Sequence, residues 1–224
     1  MRYSKNEAML TPEENASLKT FKVCVIGCGG LGGYVIEMLG RLGIGHITAV
    51  DGDVFDETNL NRQILATEKL IGREKAQVAK ARMGEVNSEV EVTPIVELLN
   101  GDNYRKILKG HDIVVDALDN MSSRKMLAKG CAELNIPLVH GAIAGWYGQV
   151  STIMPGDKTM ERLYHGDENK GIEVELGNPA FTPALVAAVQ VAEVTKVLLG
   201  KGDILQNKLL TLNLLNHEYE VFEI

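Results

Sequence analysis

The sequence predicts an α/β fold: a mainly parallel sheet with helices on both faces, followed by an antiparallel, β-rich C-terminal extension. Three observations predict it. Short apolar runs alternate with segments of helical periodicity up to residue 141. A glycine turn, Gly27-Cys-Gly-Gly-Leu-Gly32, lies between the first apolar run and the first helical segment. Past residue 145 the alternation stops, and the chain closes on two strand-like runs around Asn216-His217.

The elements follow in order. Residues 1–20 form a leader in which Thr11-Pro12-Glu13-Glu14 supplies an N-cap, a first-turn proline and acids that complement the helix dipole, so a short helix follows. Residues 22–26 are an apolar strand, 31–42 a helix stopped by Gly43, and 46–50 a second strand. A helix is expected over 74–86, a strand over 90–95, a short helix over 103–108 and a buried strand over 113–117. Residues 122–134 are helical and 137–141 another strand, with a further strand at 149–154. The stretch 155–179 is rich in glycine and charge with little periodicity, and connections of that length are usually functional. Thr182-Pro183 is expected to cap the last helix, 181–199, in which Gln190, Glu193 and Lys196 recur at helical spacing as a narrow polar stripe. That stripe makes the helix a mostly buried amphipathic one and not a membrane span. The strands 208–215 and 218–222 complete a hairpin. No internal repeat or low-complexity linker interrupts the chain, so one Rossmann-like domain over 1–224 is expected.

Composition narrows the function. The chain has 224 residues, 45% hydrophobic and 24% charged, which suits one substantial core. A net charge of −7 argues against a nucleic-acid binder. Met1-Arg2-Tyr3-Ser4-Lys5 leads into a polar stretch unlike a signal peptide, and a cytoplasmic location is expected. Cys24, Cys28 and Cys131 contain no C-x-x-C pair, which excludes a paired-cysteine zinc site within one chain. Cys24 belongs to the core. Cys28 lies near a helix start that could lower its thiol pKa, although small size beside a phosphate is the stronger reason for it.

The glycine turn matches G-x-G-x-x-G. Gly27 permits the turn, Gly29 and Gly30 let backbone approach a phosphate, and Gly32 lets helix pack on sheet. The helix start favours an anion there. Asp51 follows Gly32 by 19 residues, where such folds hold a ribose, and Asp53 is assigned to the turn. Thr58, Asn59, Asn61, Arg62 and Gln63 form a polar cluster with one planar cation suited to phosphate oxygens. Lys75, at a helix start where the dipole opposes positive charge, makes sense if it points at a polyphosphate. A hydride-transfer enzyme has no need of these cations, whereas an enzyme that breaks a triphosphate does. Asp119, in Asp116-Ala-Leu-Asp-Asn120 at a strand's carboxyl end, suits Mg²⁺, with Asp116 as a capping or strand residue. Arg124 is expected to support this corner. His140 fits a core or loop histidine better than a general base, and Trp146 and Tyr147 fit packing or a partner surface.

G-x-G-G-L-G, D-x-D, N-L-N-R-Q (Asn59, Leu60, Asn61, Arg62, Gln63), G-x-x-K from Gly72 to Lys75, L-D-N and the late apolar helix occur here in one order. The combination resembles the MoeB/ThiF/HesA adenylyltransferases, relatives of ubiquitin-activating enzymes, over nearly the whole chain. The resemblance implies that Mg·ATP adenylates the C-terminal glycine carboxylate of a small ubiquitin-like sulfur carrier (ThiS- or MoaD-like, ending in Gly-Gly), releasing pyrophosphate. It also implies a homodimer, with ATP contacts from Gly30, Asp51, Asn59, Arg62, Lys75, Asp119 and Asn120 and with Thr58 where a serine is usual. Arg62 and Lys75 would hold phosphates and Asp119 the metal. A carboxylate approaching a phosphate meets repulsion of about 4 kcal/mol per charge pair at 4 Å and an effective dielectric of 20, which preset cations answer.

Three departures from the family pattern matter. Its N-terminal R-Y-x-R, whose last arginine reaches the partner subunit's ATP, reads Arg2-Tyr3-Ser4-Lys5, keeping the charge but losing the fork. The zinc cysteine pairs are missing, so no zinc is expected. The 155–179 stretch, which resembles the family's crossover loop, has no cysteine, so adenylation without a thioester is expected, with sulfur delivered by another protein. Other readings are adenylation of a different carboxylate on tRNA or a peptide, an NAD-dependent oxidoreductase, and a non-catalytic scaffold.

Overall fold

A computed structural model describes residues 2–164 and 173–224, with the side chains of 173 and 174 left aside. Its sheet has eight strands in the order β3-β2-β1-β4-β5-β6-β7-β8. The strands are β1 Lys22–Ile26, β2 His46–Val50, β3 Glu91–Ile95, β4 Ile113–Asp116, β5 Leu138–Ala144, β6 Tyr147–Ile153, β7 Lys208–Asn213 and β8 Glu218–Glu223. The first five are parallel, and β6 to β8 run antiparallel from β5, as the pattern predicts. Pro94 lies within β3, where a missing backbone donor is tolerated because β3 is an edge. At the other edge β8 is exposed throughout and carries Glu218, Glu220 and Glu223, charges that discourage edge-to-edge pairing.

Strand alternation sorts the core into two layers. Val23, Val25, Ile113, Val115 and Val139 face the cluster that includes α2 (Gly30–Leu42), α3 (Lys75–Val86) and α8 (Phe181–Leu199). Cys24, Ile26, Val114 and Leu138 face α4 (Tyr104–Leu108) and α5 (Met121–Leu134). The connection leaving β1 and the one entering β4 thus lie on opposite faces, and a crevice opens between those two strands at their carboxyl ends.

Several local expectations hold and several are revised. Thr11 and Glu14 form the reciprocal capping box of α1 (Pro12–Ser17), with bonds of 3.1 and 2.8 Å. The 155–179 stretch contains the helical turns α6 (Thr159–Leu163) and α7 (Glu173–Leu176), and residues 165–172 lie outside the described part. Thr182 does not cap α8. The helix begins one residue earlier with no side-chain cap, and the Thr182 hydroxyl donates to the Gly145 carbonyl at 2.6 Å. The strand expected to end at residue 141 continues to Ala144, because β6 pairs with its whole length.

The polar stripe of α8 faces the protein. Gln190 donates to the carbonyls of Asp116 (2.8 Å) and Val139 (3.3 Å), while Glu193 accepts from Thr152 and the Leu205 backbone and pairs with Lys196. Gln190 and Glu193 are buried, as polar groups can be when hydrogen-bonded. Length and hydropathy would let α8 cross a bilayer, yet these bonds bind it to its own sheet.

Glu37 joins α2 to α3. Its buried carboxylate accepts from Arg41 at 2.6 and 2.9 Å and from Arg82 at 3.0 and 3.1 Å. Burial works to raise its pKa, but the two guanidinium groups outweigh that and leave it lowered. Glu37→Gln should lower stability by about 1–3 kcal/mol at neutral pH. Because the folded pKa is depressed, this contribution is present above the ordinary value of 4.5 and is lost as pH falls through the folded pKa. Urea unfolding of both proteins at pH 7 and in acid should show the gap closing.

Candidate active site

A cavity of about 280 Å³ occupies the crevice between β1 and β4. Gly27, Gly29 and Gly30 form one wall, Asp51 and Asp53 a second, and Asp119 and Asn120 a third, with Arg62 and Lys75 entering among them. The turn depends on two glycines. Gly27 has φ +99°, and a Cβ there would lie 2.5 Å from the Ala117 carbonyl oxygen. A Cβ on Gly32 would lie 1.7 Å from the Gly27 oxygen, so Gly32 is needed for packing, as expected, and does not line the cavity.

Asp51 receives the Cys28 N–H on Oδ2 (2.7 Å) and the Asp53 N–H on Oδ1 (2.8 Å). A carboxylate oxygen has a second lone pair, so both can still accept a sugar hydroxyl. Burial raises the Asp51 pKa in spite of these bonds and of Lys75. Lys75 is the first residue of α3 and only 7% exposed, in contrast to a surface lysine. Its Nζ lies 3.2 Å from Asp53, and its backbone N–H bonds the Asp53 carbonyl, so Asp53 does more than shape a turn.

The N-L-N-R-Q segment divides its labour differently from the expectation. Thr58, Asn59, Leu60 and Asn61 do not line the cavity. Asp56 caps a 3-10 turn over Glu57–Asn59, receiving the Thr58 N–H, and Asn59 bonds back to the Asp56 N–H. The Thr58 carbonyl and Asn61 Oδ1 each hold Arg62 Nη1 at 2.9 Å, and Asn61 also donates to the Asn178 carbonyl. The polar residues build a bracket, and Arg62 is what the bracket presents. Gln63 lines the cavity, and its buried Oε1 has no hydrogen-bond partner among the described residues.

Lys5 stands outside its own cavity. Arg2 and Tyr3 dock on Asn87, which donates to the Tyr3 hydroxyl at 2.7 Å, and Lys5 is exposed on the arm beyond them. Leu98 and Leu99, two apolar walls just past β3, and Ser123 and Ile143 also line the cavity, and sequence reading missed them. An apolar pair directly after a strand end is the signal that could have found Leu98 and Leu99.

His140 is fully buried in the core, with Nδ1 2.7 Å from Asp116. Burial lowers its pKa against the pull of Asp116, and it does not line the cavity, so a general-base role has no support. Arg124 supports the corner as expected, donating from Nε and Nη2 to the Leu118 carbonyl at 3.2 and 2.5 Å. The Trp146 and Phe181 rings pack at 4.6 Å with both residues exposed.

These geometries meet a known pattern. The model of the ThiF family matches residues 3–224. The chain belongs to the ThiF family. It is 33% identical over 224 residues to the SAMP-activating enzyme E1 of Haloferax volcanii, covering 98% of this chain and 83% of that one. To the molybdopterin-synthase adenylyltransferase of Salmonella typhimurium it is 31% identical over 195 residues, covering 85% and 78%. Among solved structures, Escherichia coli MccB with ATP superposes with a TM-score of 0.88 at 25% identity, covering all of this chain and 71% of that one. This ThiF-family chain is an ATP-binding adenylyltransferase with the family's Rossmann-like fold.

The helix start does not activate the cysteine within the glycine turn. Burial, and then the Asp51 charge, push the Cys28 thiol well above its ordinary range, outweighing any pull from the helix start. Burial raises Cys24 too, and burial with Asp116 pushes Cys131 up to about 12. In the native protein at pH 8 the thiols should therefore react with a disulfide reagent about a hundredfold more slowly than after unfolding. A fast-reacting native thiol would contradict the burial of Cys28.

Proposed function

We propose that this adenylyltransferase activates the C-terminal glycine carboxylate of a small ubiquitin-like sulfur-carrier protein ending in Gly-Gly. The single observation that carries the reading is the gathering of Asp51, Arg62, Lys75, Asp119 and Asn120 around one glycine turn at the switch point of the sheet. The names of the relatives in Haloferax and Salmonella support a carrier of this class. In this reading Asp51 holds the ribose, Leu98 and Leu99 flank the base, and the turn's backbone with Arg62 and Lys75 holds the phosphates. Asp53 keeps Lys75 aimed inward until phosphate oxygens share its charge.

Mg²⁺ suits the donors present. No group of three or more histidine, cysteine, aspartate or glutamate side chains clusters as a metal cage among the described residues. Of the carboxylates on the cavity wall, Asp51 accepts two backbone N–H groups, Asp53 pairs with Lys75 and Glu97 accepts from Asn103, so Asp119 fits an ion that takes its other ligands from phosphate and water. When bound, such an ion neutralises phosphate charge. The acceptor carboxylate oxygen forms a bond to the α-phosphorus, the bond from that phosphorus to the bridging oxygen breaks, and pyrophosphate leaves. The substrate supplies the nucleophile, so positioning and charge are the protein's contribution.

A second groove, of about 500 Å³, meets the cavity at Asp119, Asn120, Arg124 and Ile143 and runs across β5, β6 and β7. It offers an extended acceptor tail a path to the nucleotide. Lys5, exposed and outside its own cavity, supports a homodimer in which the arm serves the partner's site. A peptide carboxylate is the second reading, favoured by the likeness to MccB, which was solved with MccA. A cytoplasmic location is part of the proposal.

ATP–pyrophosphate exchange should depend on the Gly-Gly-ended carrier and fall by about a hundredfold or more in Arg62→Ala and in Asp119→Ala. Full exchange in both variants would remove the site assignment, and exchange with a short peptide but no carrier would favour the second reading. A Lys5→Ala chain paired with an Arg62→Ala chain should recover part of the exchange that each homodimer lacks, because one of the two sites is then intact.

A further inference from the structure

One buried hydrogen-bond chain lies beside the site without taking part in the chemistry above. It begins at Asp116, the last residue of β4, and passes through His140 of β5 to Tyr164, which directly follows α6. The distances are 2.7 Å from Asp116 Oδ2 to His140 Nδ1 and 2.8 Å from His140 Nε2 to the Tyr164 hydroxyl. The same hydroxyl meets Gln149 Nε2 at 2.6 Å and Arg124 Nη1 at 3.2 Å.

Donor capacity fixes the direction of each proton. Arg124 and the Gln149 amide nitrogen can only donate, so the Tyr164 oxygen accepts from both. The hydroxyl's own proton must then point at His140 Nε2, which accepts it. That leaves the imidazole proton on Nδ1, donated to Asp116. Burial works to raise the Asp116 pKa, but Arg124 and His140 outweigh it and leave it lowered, while burial lowers that of His140, directions that agree with a carboxylate accepting from the ring. The groups facing the ring are Asp116 from β4, Arg124 from α5, Gln149 from β6, with Nε2 3.4 Å from His140 Nε2, and Tyr164.

The far end of the chain is the cavity wall. Asp116 Oδ1 accepts the Leu118 N–H at 3.0 Å, and Arg124 holds the Leu118 carbonyl through two nitrogens. Leu118 is thereby clamped on both sides of its backbone, and Asp119 is the next residue. We infer that Tyr164 is a positioning residue of the adenylation site, which through Arg124 and Leu118 sets where Asp119 presents its carboxylate. The inference rests on the reading of Asp119 as the Mg²⁺ ligand. It also accounts for the start of the 155–179 connection. There α6 delivers a hydroxyl to the sheet floor, so the seating of that segment and the geometry of the metal-binding carboxylate are linked.

Titration calorimetry on the full chain tests this with Mg·ATP and, separately, with ATP in a chelator. Wild-type protein should bind Mg·ATP. Tyr164→Phe, which removes one oxygen and keeps the ring, should weaken Mg·ATP by about three- to tenfold, the size of one hydrogen bond. Metal-free ATP affinity should not change, because the effect runs through Asp119, whereas the unfolding temperature should fall, since His140, Gln149 and Arg124 each lose a hydrogen bond. In Arg124→Lys the added Tyr164→Phe should cause no further loss, since the tyrosine acts through that guanidinium. Wild-type Mg·ATP affinity in Tyr164→Phe, an equal loss for metal-free ATP, or additive losses in the double variant would each overturn the inference while leaving the adenylation reading intact. A wild-type chain that binds no Mg·ATP would instead overturn the nucleotide reading itself.

Discussion

The close approach of three backbone segments, at Gly27, Gly32 and Ala117, is the constraint on which the site depends. Gly27 turns the chain out of β1 against the Ala117 carbonyl, and Gly32 lets the first turn of α2 sit on the Gly27 oxygen. A side chain at either position would force the helix away from the strand ends. With both glycines in place, the amino end of α2, which has no side-chain cap, opens onto the crevice between β1 and β4. Asp51 then closes the turn from the other side, taking the Cys28 N–H. The anion-binding surface is thus a product of packing that only glycine permits.

Around that turn the protein holds charge in two ways. Lys75 and Asp53 pair at the cavity wall, and Arg62 hangs from a bracket of backbone and amide oxygens, so both cations are oriented before any ligand arrives. Preset cations of this kind need no reorganisation when a phosphate binds. Below the cavity, Asp116 is fully buried beside His140 and Arg124, an arrangement that would be destabilising if any partner were missing. Gln190 of α8 bonds the carbonyl of the same aspartate, which joins the helix, the sheet and the site floor in one network.

Much of this was legible in the chain itself, and the reasons are local. Strand and helix alternation, the glycine turn, the Thr11 capping box and the placement of Asp51 follow from periodicity and short-range sterics, which need no knowledge of distant residues. The roles of Thr58, Asn59 and Asn61 were less legible. A polar side chain in a loop can bind a ligand or its own backbone equally well, and here Asp56 captures the turn first. Cys28 shows two opposed forces: proximity to a helix start lowers a thiol pKa, but the depth of burial, which no motif reveals, raises it more.

The sequence by itself determined the doubly covered sheet, the site at the ends of its first strands and the residue types able to meet a nucleotide, because each is set by near neighbours in the chain. Only the tertiary structure decided that the polar stripe of α8 faces inward, that Lys75 is buried, that Lys5 stands clear of its own cavity and that Tyr164 reaches Arg124. Those outcomes turn on partners far along the chain, as in Lys75 with Asp53, 22 residues away, and Gln190 with Asp116, 74 residues away. A polar group's fate in a folded chain is fixed by which donors and acceptors the packing brings within about 3 Å, and that distance is not written in local spacing.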